Sequence, residues 1–161
     1  MPVVNVSHDL ETLTLSITAE FAAPVQRIWA LYADPRQLER VWGPPSHPAT
    51  FVDHCLKVGA KTTYYMTGPE GEKYYGYWVL TKVDEPHGFE FDDGFANAEF
   101  EPNLDMPVSK NVYRFEAIAS GTRATYIGTY ASREGLEQVL AMGIVEGATS
   151  AINQIDALVS G

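Results

Sequence analysis

The sequence predicts a single α+β domain: a curved antiparallel sheet of about seven strands around one long C-terminal helix, with two short helices after the first strand. Three observations lead there. Residues 12–21, TLTLSITAEF, alternate between apolar and polar side chains, the period of a half-buried strand. From residue 49 to about 131, strand-like segments rich in Tyr, Val and Thr are separated by turn signals, with no helical period between them. From Ser132 to Leu158, apolar and small residues recur at steps of three and four, the mark of an amphipathic helix.

Residues 1–11 read as an N-terminal extension. In the first strand Leu13, Leu15, Ile17, Ala19 and Phe21 share one face. Pro24 opens a helix in which Val25, Ile28, Trp29 and Tyr32 form an i, i+3, i+4, i+7 stripe. Asp34-Pro35 ends it and starts a second, with Asp34 as N-cap and Pro35 in the first turn, running to Trp42. Gly43-Pro44-Pro45 stops that helix. Six strands follow, at roughly 49–56, 60–68, 72–83, 88–93, 108–119 and 122–131. Gly68-Pro69-Glu70-Gly71 and Ser120-Gly121 are hairpin turns, and short links between neighbouring strands predict a meander. The link from Gly94 to Pro107 is longer. Ser132 can cap the last helix; some 26 residues at about 1.5 Å each make it close to 40 Å long, enough to cross the sheet. No repeat or linker-like stretch divides residues 1–161.

Eleven Lys+Arg against 21 Asp+Glu give a net charge of −10, which repels a nucleic-acid backbone and argues against such a partner. No run approaches the apolar length of a membrane span, so no membrane insertion is expected. The N-terminus lacks a basic segment followed by an apolar core. A soluble, cytoplasmic protein is expected. One cysteine, Cys55, excludes an internal disulfide. The four histidines fall in separate segments, and His54 and Cys55, adjacent on a strand, point to opposite faces. No metal site, cofactor or catalytic signature is expected.

The candidate site is a cavity. Aromatic residues make up 12% of the chain and pair by parity on strand faces: Tyr64 with Met66, Tyr75 with Tyr77, Phe89 with Phe91, Tyr113 with Phe115, Tyr126 with Tyr130. Facing inward, such rings supply contact area and their hydroxyls fix orientation. The candidate ligand-binding residues are Trp42, Tyr64, Met66, Tyr77, Phe91, Tyr113, Phe115, Tyr126, Met142 and Glu146. The plain alternative is a filled core. Parity within 72–83 stays open, since a bulge near Gly76 would switch it. Gly143, Gly147 and Ala148 either leave space beside the last helix or let it approach the sheet. Glu146 facing an apolar cavity would have a raised pKa and suit acid–base work. Eight acidic residues, Asp84, Glu85, Glu90, Asp92, Asp93, Glu99, Glu101 and Asp105, lie between Lys82 and Lys110 with no cation among them. This rim would attract a cationic ligand or a basic protein partner, or simply solvate a loop. The edges of an open sheet would allow a homodimer.

The stretch PVQRIWALYADPRQLERVWG, Pro24 to Gly43, resembles the opening of the family of activators of a heat-shock-protein ATPase. These belong to the START-like or Bet v-like (SRPBCC) superfamily of helix-grip folds. The matching residues are Pro24, Ile28-Trp29, Ala30-Leu31, Asp34-Pro35 and Trp42-Gly43-Pro44. Further matches are Lys57-Val58-Gly59, Gly68-Pro69-Glu70-Gly71, Val83-Asp84-Glu85-Pro86 and Glu146-Gly147. Ala60, where the family usually has a second glycine, and the insertion Phe95–Pro107 depart from it. The resemblance implies a cavity between sheet and C-terminal helix that accepts lipids, polyketides or other apolar molecules, with the 94–107 loop and Trp42-Gly43-Pro44-Pro45 near its mouth. Binding of a small hydrophobic ligand is the leading reading. An enzyme of the polyketide cyclase or aromatase kind, using Tyr hydroxyls and a pocket carboxylate, is the second. A chaperone-interaction module at the acidic rim is the third.

Overall fold

A computed structural model describes residues 2–159. It contains β1 (Val3–Asp9), β2 (Thr14–Phe21), α1 (Val25–Ala33), α2 (Pro35–Trp42), β3 (Ala49–Asp53), β4 (Lys61–Thr67), β5 (Lys73–Asp84), β6 (Gly88–Ala96), β7 (Ser109–Ile118) and β8 (Gly121–Tyr130). The helices α3 (Arg133–Ala141), α4 (Ile144–Asn153) and α5 (Ile155–Val159) follow. The strands form one antiparallel sheet ordered β1-β2-β8-β7-β6-β5-β4-β3. The predicted meander runs from β3 to β8, and β2 closes onto β8 from Thr14↔Thr129 to Phe21↔Thr122.

The sheet has eight strands, because residues 3–9 of the expected extension pair with β2. Their exposed edge position leaves them only weakly patterned. The turn that follows is held by the Asp9 carboxylate, which accepts from the backbone N–H of Glu11 at 2.8 Å; this bond and its neighbour from Thr12 hold the Asp9 pKa down.

The predicted caps are present. Asp34 Oδ1 accepts from Arg36 N at 2.9 Å, and Ser132 Oγ accepts from Gly135 N at 3.0 Å. The α1 stripe of Val25, Ile28, Trp29 and Tyr32 is buried. The C-terminal helix, expected as one rod, is broken into three segments. Gly143 interrupts it at φ 85°, a left-handed conformation that glycine adopts without steric cost. On one side of the break α3 buries Leu136 and Val139, and on the other α4 buries Ala151 and Ile152.

Two apolar clusters hold the domain. The larger joins the inner sheet face to α1 and α2 through Trp78, Phe89, Phe91, Phe115, Ile28 and Leu38; Trp78 and Phe91 stack at 4.2 Å. The smaller sets Leu15 and Tyr130 against Leu136 and Val139 of α3. The space between them is not filled.

Candidate ligand-binding cavity

That space is a cavity of about 330 Å³ between the inner face of β2, β4 and β6–β8 and the helices α1–α4, α1 contributing Tyr32. Its apolar wall is made by Leu15, Ile17, Val41, Met66, Phe95, Val139, Ile144 and Ile152. Gly143, Gly147 and Ala148 face it. No atom lies within 4 Å of where a Cβ on Gly147 would stand, so the small residues of the helix leave space here. Met142, also on the lining and 55% exposed, marks the opening.

Six of the ten candidates border the cavity: Trp42, Tyr64, Met66, Tyr113, Tyr126 and Met142. Four do not. Phe91 lies beneath the cavity in the stack with Trp78, and Phe115 is stacked behind the lining residue Tyr32, 5.4 Å between centroids. Tyr77 is on the opposite face of the sheet, with the Lys61 ammonium 5.5 Å from its ring centroid. Gly76 and Trp78 therefore take the inward positions of β5, and the register shift in this strand lies between Leu80 and Lys82, not near Gly76. A Cβ at Gly76 would come within 2.5 Å of the Tyr64 ring, so the glycine lets Tyr64 lie across the strand. Glu146 is exposed in the first turn of α4, where the helix dipole favours a carboxylate.

The carboxylate in the cavity is Asp93. It sits on β6 opposite Trp78, and its Oδ1 accepts from the Tyr64 hydroxyl at 3.0 Å. Part of its surface borders the cavity, while protein atoms surround the rest. Burial pushes its pKa up from 3.8 to about 7, against the opposing hydrogen bond from Tyr64. Sequence reasoning placed Asp93 in the acidic rim. The alternation of β6, with Phe89, Phe91, Asp93 and Phe95 on one face, was the available signal. The rim itself is divided: Glu90 is 3.4 Å from Arg114, whereas Asp84, Glu85, Glu99, Glu101 and Asp105 are exposed.

Tyrosine hydroxyls complete the polar seam. Tyr32 donates to Tyr126 at 2.9 Å, and the Tyr113 ring meets Tyr126 edge-on at 4.6 Å. Burial raises the pKa of Tyr64, Tyr113 and Tyr126 well above 10, and that of Tyr130 to about 12. All four are neutral donors at pH 7. Asn111, also on the lining, donates to Ser109 Oγ at 3.0 Å. The Trp42 indole N–H approaches Tyr64 closely enough to favour its ionised form, yet no acceptor completes a hydrogen bond to it.

The 94–107 link reaches the cavity only at its ends. Phe95 and the adjoining Ser109 line it, but Phe100 packs edge-on against Tyr75 on the outer face, 5.5 Å between centroids, and its carbonyl accepts from Lys61 Nζ at 2.9 Å. His54 and Cys55 follow the end of β3. The His54 ring lies between the Tyr32 carbonyl, 2.6 Å from Nε2, and Thr62 Oγ1, 3.0 Å from Nδ1. Cys55 is exposed. Among the described residues no group of three His, Cys, Asp or Glu side chains is placed to hold a metal ion, and no helix is long and apolar enough to cross a membrane.

An eight-stranded antiparallel sheet gripping a C-terminal helical segment over an open cavity defines a helix-grip protein of the START-like class. The chain belongs to the family described as activator of Hsp90 ATPase homolog 1-like protein, whose pattern matches residues 22–160. It is similar to protein Ms6760 from Mycobacterium smegmatis, whose crystal structure shares 71% identity over 98% of this chain and 96% of that one, with a TM-score of 0.91. A solution structure of a protein from Arthrobacter aurescens is 47% identical over 98% and 92% of the two chains, with a TM-score of 0.94. A Staphylococcus epidermidis protein at 23% identity, with 98% and 94% covered and a TM-score of 0.84, shares the fold. No curated protein matches the chain.

Proposed function

We propose that this protein binds a small, mainly apolar molecule between the sheet and α3–α4. The observation that carries the reading is the cavity of about 330 Å³, left open by Gly147 where any larger side chain would enter it. A pocket of this size, largely apolar with a few convergent polar groups, suits a small-molecule ligand. Native mass spectrometry of the purified chain, before and after organic extraction, tests the proposal. A discrete extra mass lost on extraction is expected. A clean apo mass, unchanged after incubation with fatty acids, flavonoids and polyketide mimics, would overturn it.

One observation favours a second reading. A carboxyl with a pKa of about 7, hydrogen-bonded to Tyr64, is populated in both protonation states near neutrality and suits general acid–base catalysis. A cyclase or dehydratase of that kind would turn over a carbonyl substrate in the cavity. Release of water or cyclised product from β-hydroxy or polycarbonyl aromatics, lost in Asp93→Asn, tests it.

A further inference from the structure

Resting on the binding reading above, we propose that the ligand is an apolar amine, its ammonium seated on the Asp93 carboxylate among the rings of Trp42, Tyr64, Tyr113 and Tyr126, and its hydrocarbon part lying along α3–α4.

The lining explains the charge preference. Among the described residues Asp93 is the only acidic side chain on it, and no Lys, Arg or His lines it. An ionised Asp93 therefore has only neutral company: Tyr64 on β4 donates to it; Tyr113 on β7 and Tyr130 on β8 feel its charge; Tyr77 lies behind it on the far face of β5. Burial keeps all of these tyrosines un-ionised at neutral pH, and α2 presents the uncharged Trp42. A buried charge without a counter-ion is costly, and a partner of opposite sign removes that cost. The ligand supplies what the fold omits. Aromatic rings attract cations through their electron-rich faces, and the tyrosines here outnumber every other polar residue type on the lining. An anionic ligand meets repulsion at the same point, and the net charge of −10 draws cations toward the molecule from outside.

The pH dependence follows. Ammonium binding needs the ionised carboxyl, which in the empty protein forms as pH rises through about 7. Amine affinity is therefore high at pH 8 and falls toward pH 5.5, whereas a neutral analogue of the same shape is indifferent.

Calorimetric titration of the full chain with naphthylmethylamine, naphthylmethanol and naphthoate tests this. The amine is expected to bind about ten-fold or more tighter than the alcohol at pH 8, roughly what one desolvated ion pair gives. The preference disappears at pH 5.5, and in Asp93→Asn at pH 8 with alcohol binding retained. An alcohol equal to the amine at pH 8, a preference for naphthoate, or an undiminished amine preference in Asp93→Asn would each overturn the amine assignment while leaving the cavity reading standing. Failure of all three probes to bind, together with a clean apo mass, would overturn both. The pH series on the unaltered protein decides the matter even where Asp93→Asn does not fold.

Discussion

The carboxyl of Asp93 holds its proton far more tightly in the folded chain than in the unfolded one, because burial disfavours the charged form. The folded state therefore binds an extra proton between about pH 3.8 and 7. The stability this contributes is present in acid and is lost as pH rises through the folded value. Asp93→Asn, which keeps the size and an acceptor for Tyr64, is expected to be more stable than the parent at pH 8 by on the order of 2 kcal/mol. The difference should fade by pH 4. Urea denaturation at both pH values measures it, and a less stable variant at pH 8 would contradict the burial argument. His54 acts with the opposite sign. Burial lowers its pKa, so its contribution is present above the unfolded value of 6.5 and is lost as pH falls through the folded one. Neither role is marked by neighbours in sequence: Asp93 stands beside the equally acidic Asp92, and only strand parity separates them.

Glycine organises the C-terminal helices. Gly143 permits the left-handed break between α3 and α4, while Gly147 has ordinary helical backbone and open space beyond it. These positions should respond differently to substitution. Gly147→Ala replaces a poor helix former by the best one and should stabilise the empty protein by about 0.5–1 kcal/mol. Gly147→Leu should fill the cavity and abolish binding of naphthylmethanol while the thermal transition remains cooperative; retained affinity would place the ligand elsewhere. Gly143→Ala should instead destabilise the protein by about 1 kcal/mol, since a Cβ is strained at a φ of 85°. Thermal denaturation followed by circular dichroism compares the two. The sequence presented both glycines as one small-residue stripe, because their difference lies in backbone dihedral and in what faces them.

The whole molecule is two packed clusters with a void between them, and filling the void links binding to folding. A ligand held at about one hundred times its Kd adds roughly 2.7 kcal/mol, which for a domain of this size raises Tm by about 5–10 °C. Differential scanning calorimetry with saturating naphthylmethylamine at pH 8 should show that rise, and a much smaller one at pH 5.5. An equal rise at both would contradict the role of the Asp93 charge. Leaving the void open sacrifices packing that larger side chains at Gly147 and Ala148 would supply, at about 0.8 kcal/mol for each methylene buried.

By itself the sequence determined the class of fold, the meander, both short helices with their caps, and most of the aromatic wall. These depend on local period and on residue types that act within a few positions, such as Asp34 before Pro35 or Ser132 before Arg133. Tertiary structure alone decided which face of β5 turns inward, since Tyr77 and Trp78 are equally good strand residues and only pairing with β4 and β6 selects between them. It also made an edge strand of residues 3–9, broke the last helix at Gly143, and exchanged Glu146 for Asp93 as the carboxyl in the cavity. The physical reason is that the facing of β5, the edge pairing of residues 3–9 and the burial of Asp93 are set by partners distant in the chain, while the break at Gly143 rests on a backbone dihedral that periodicity does not encode.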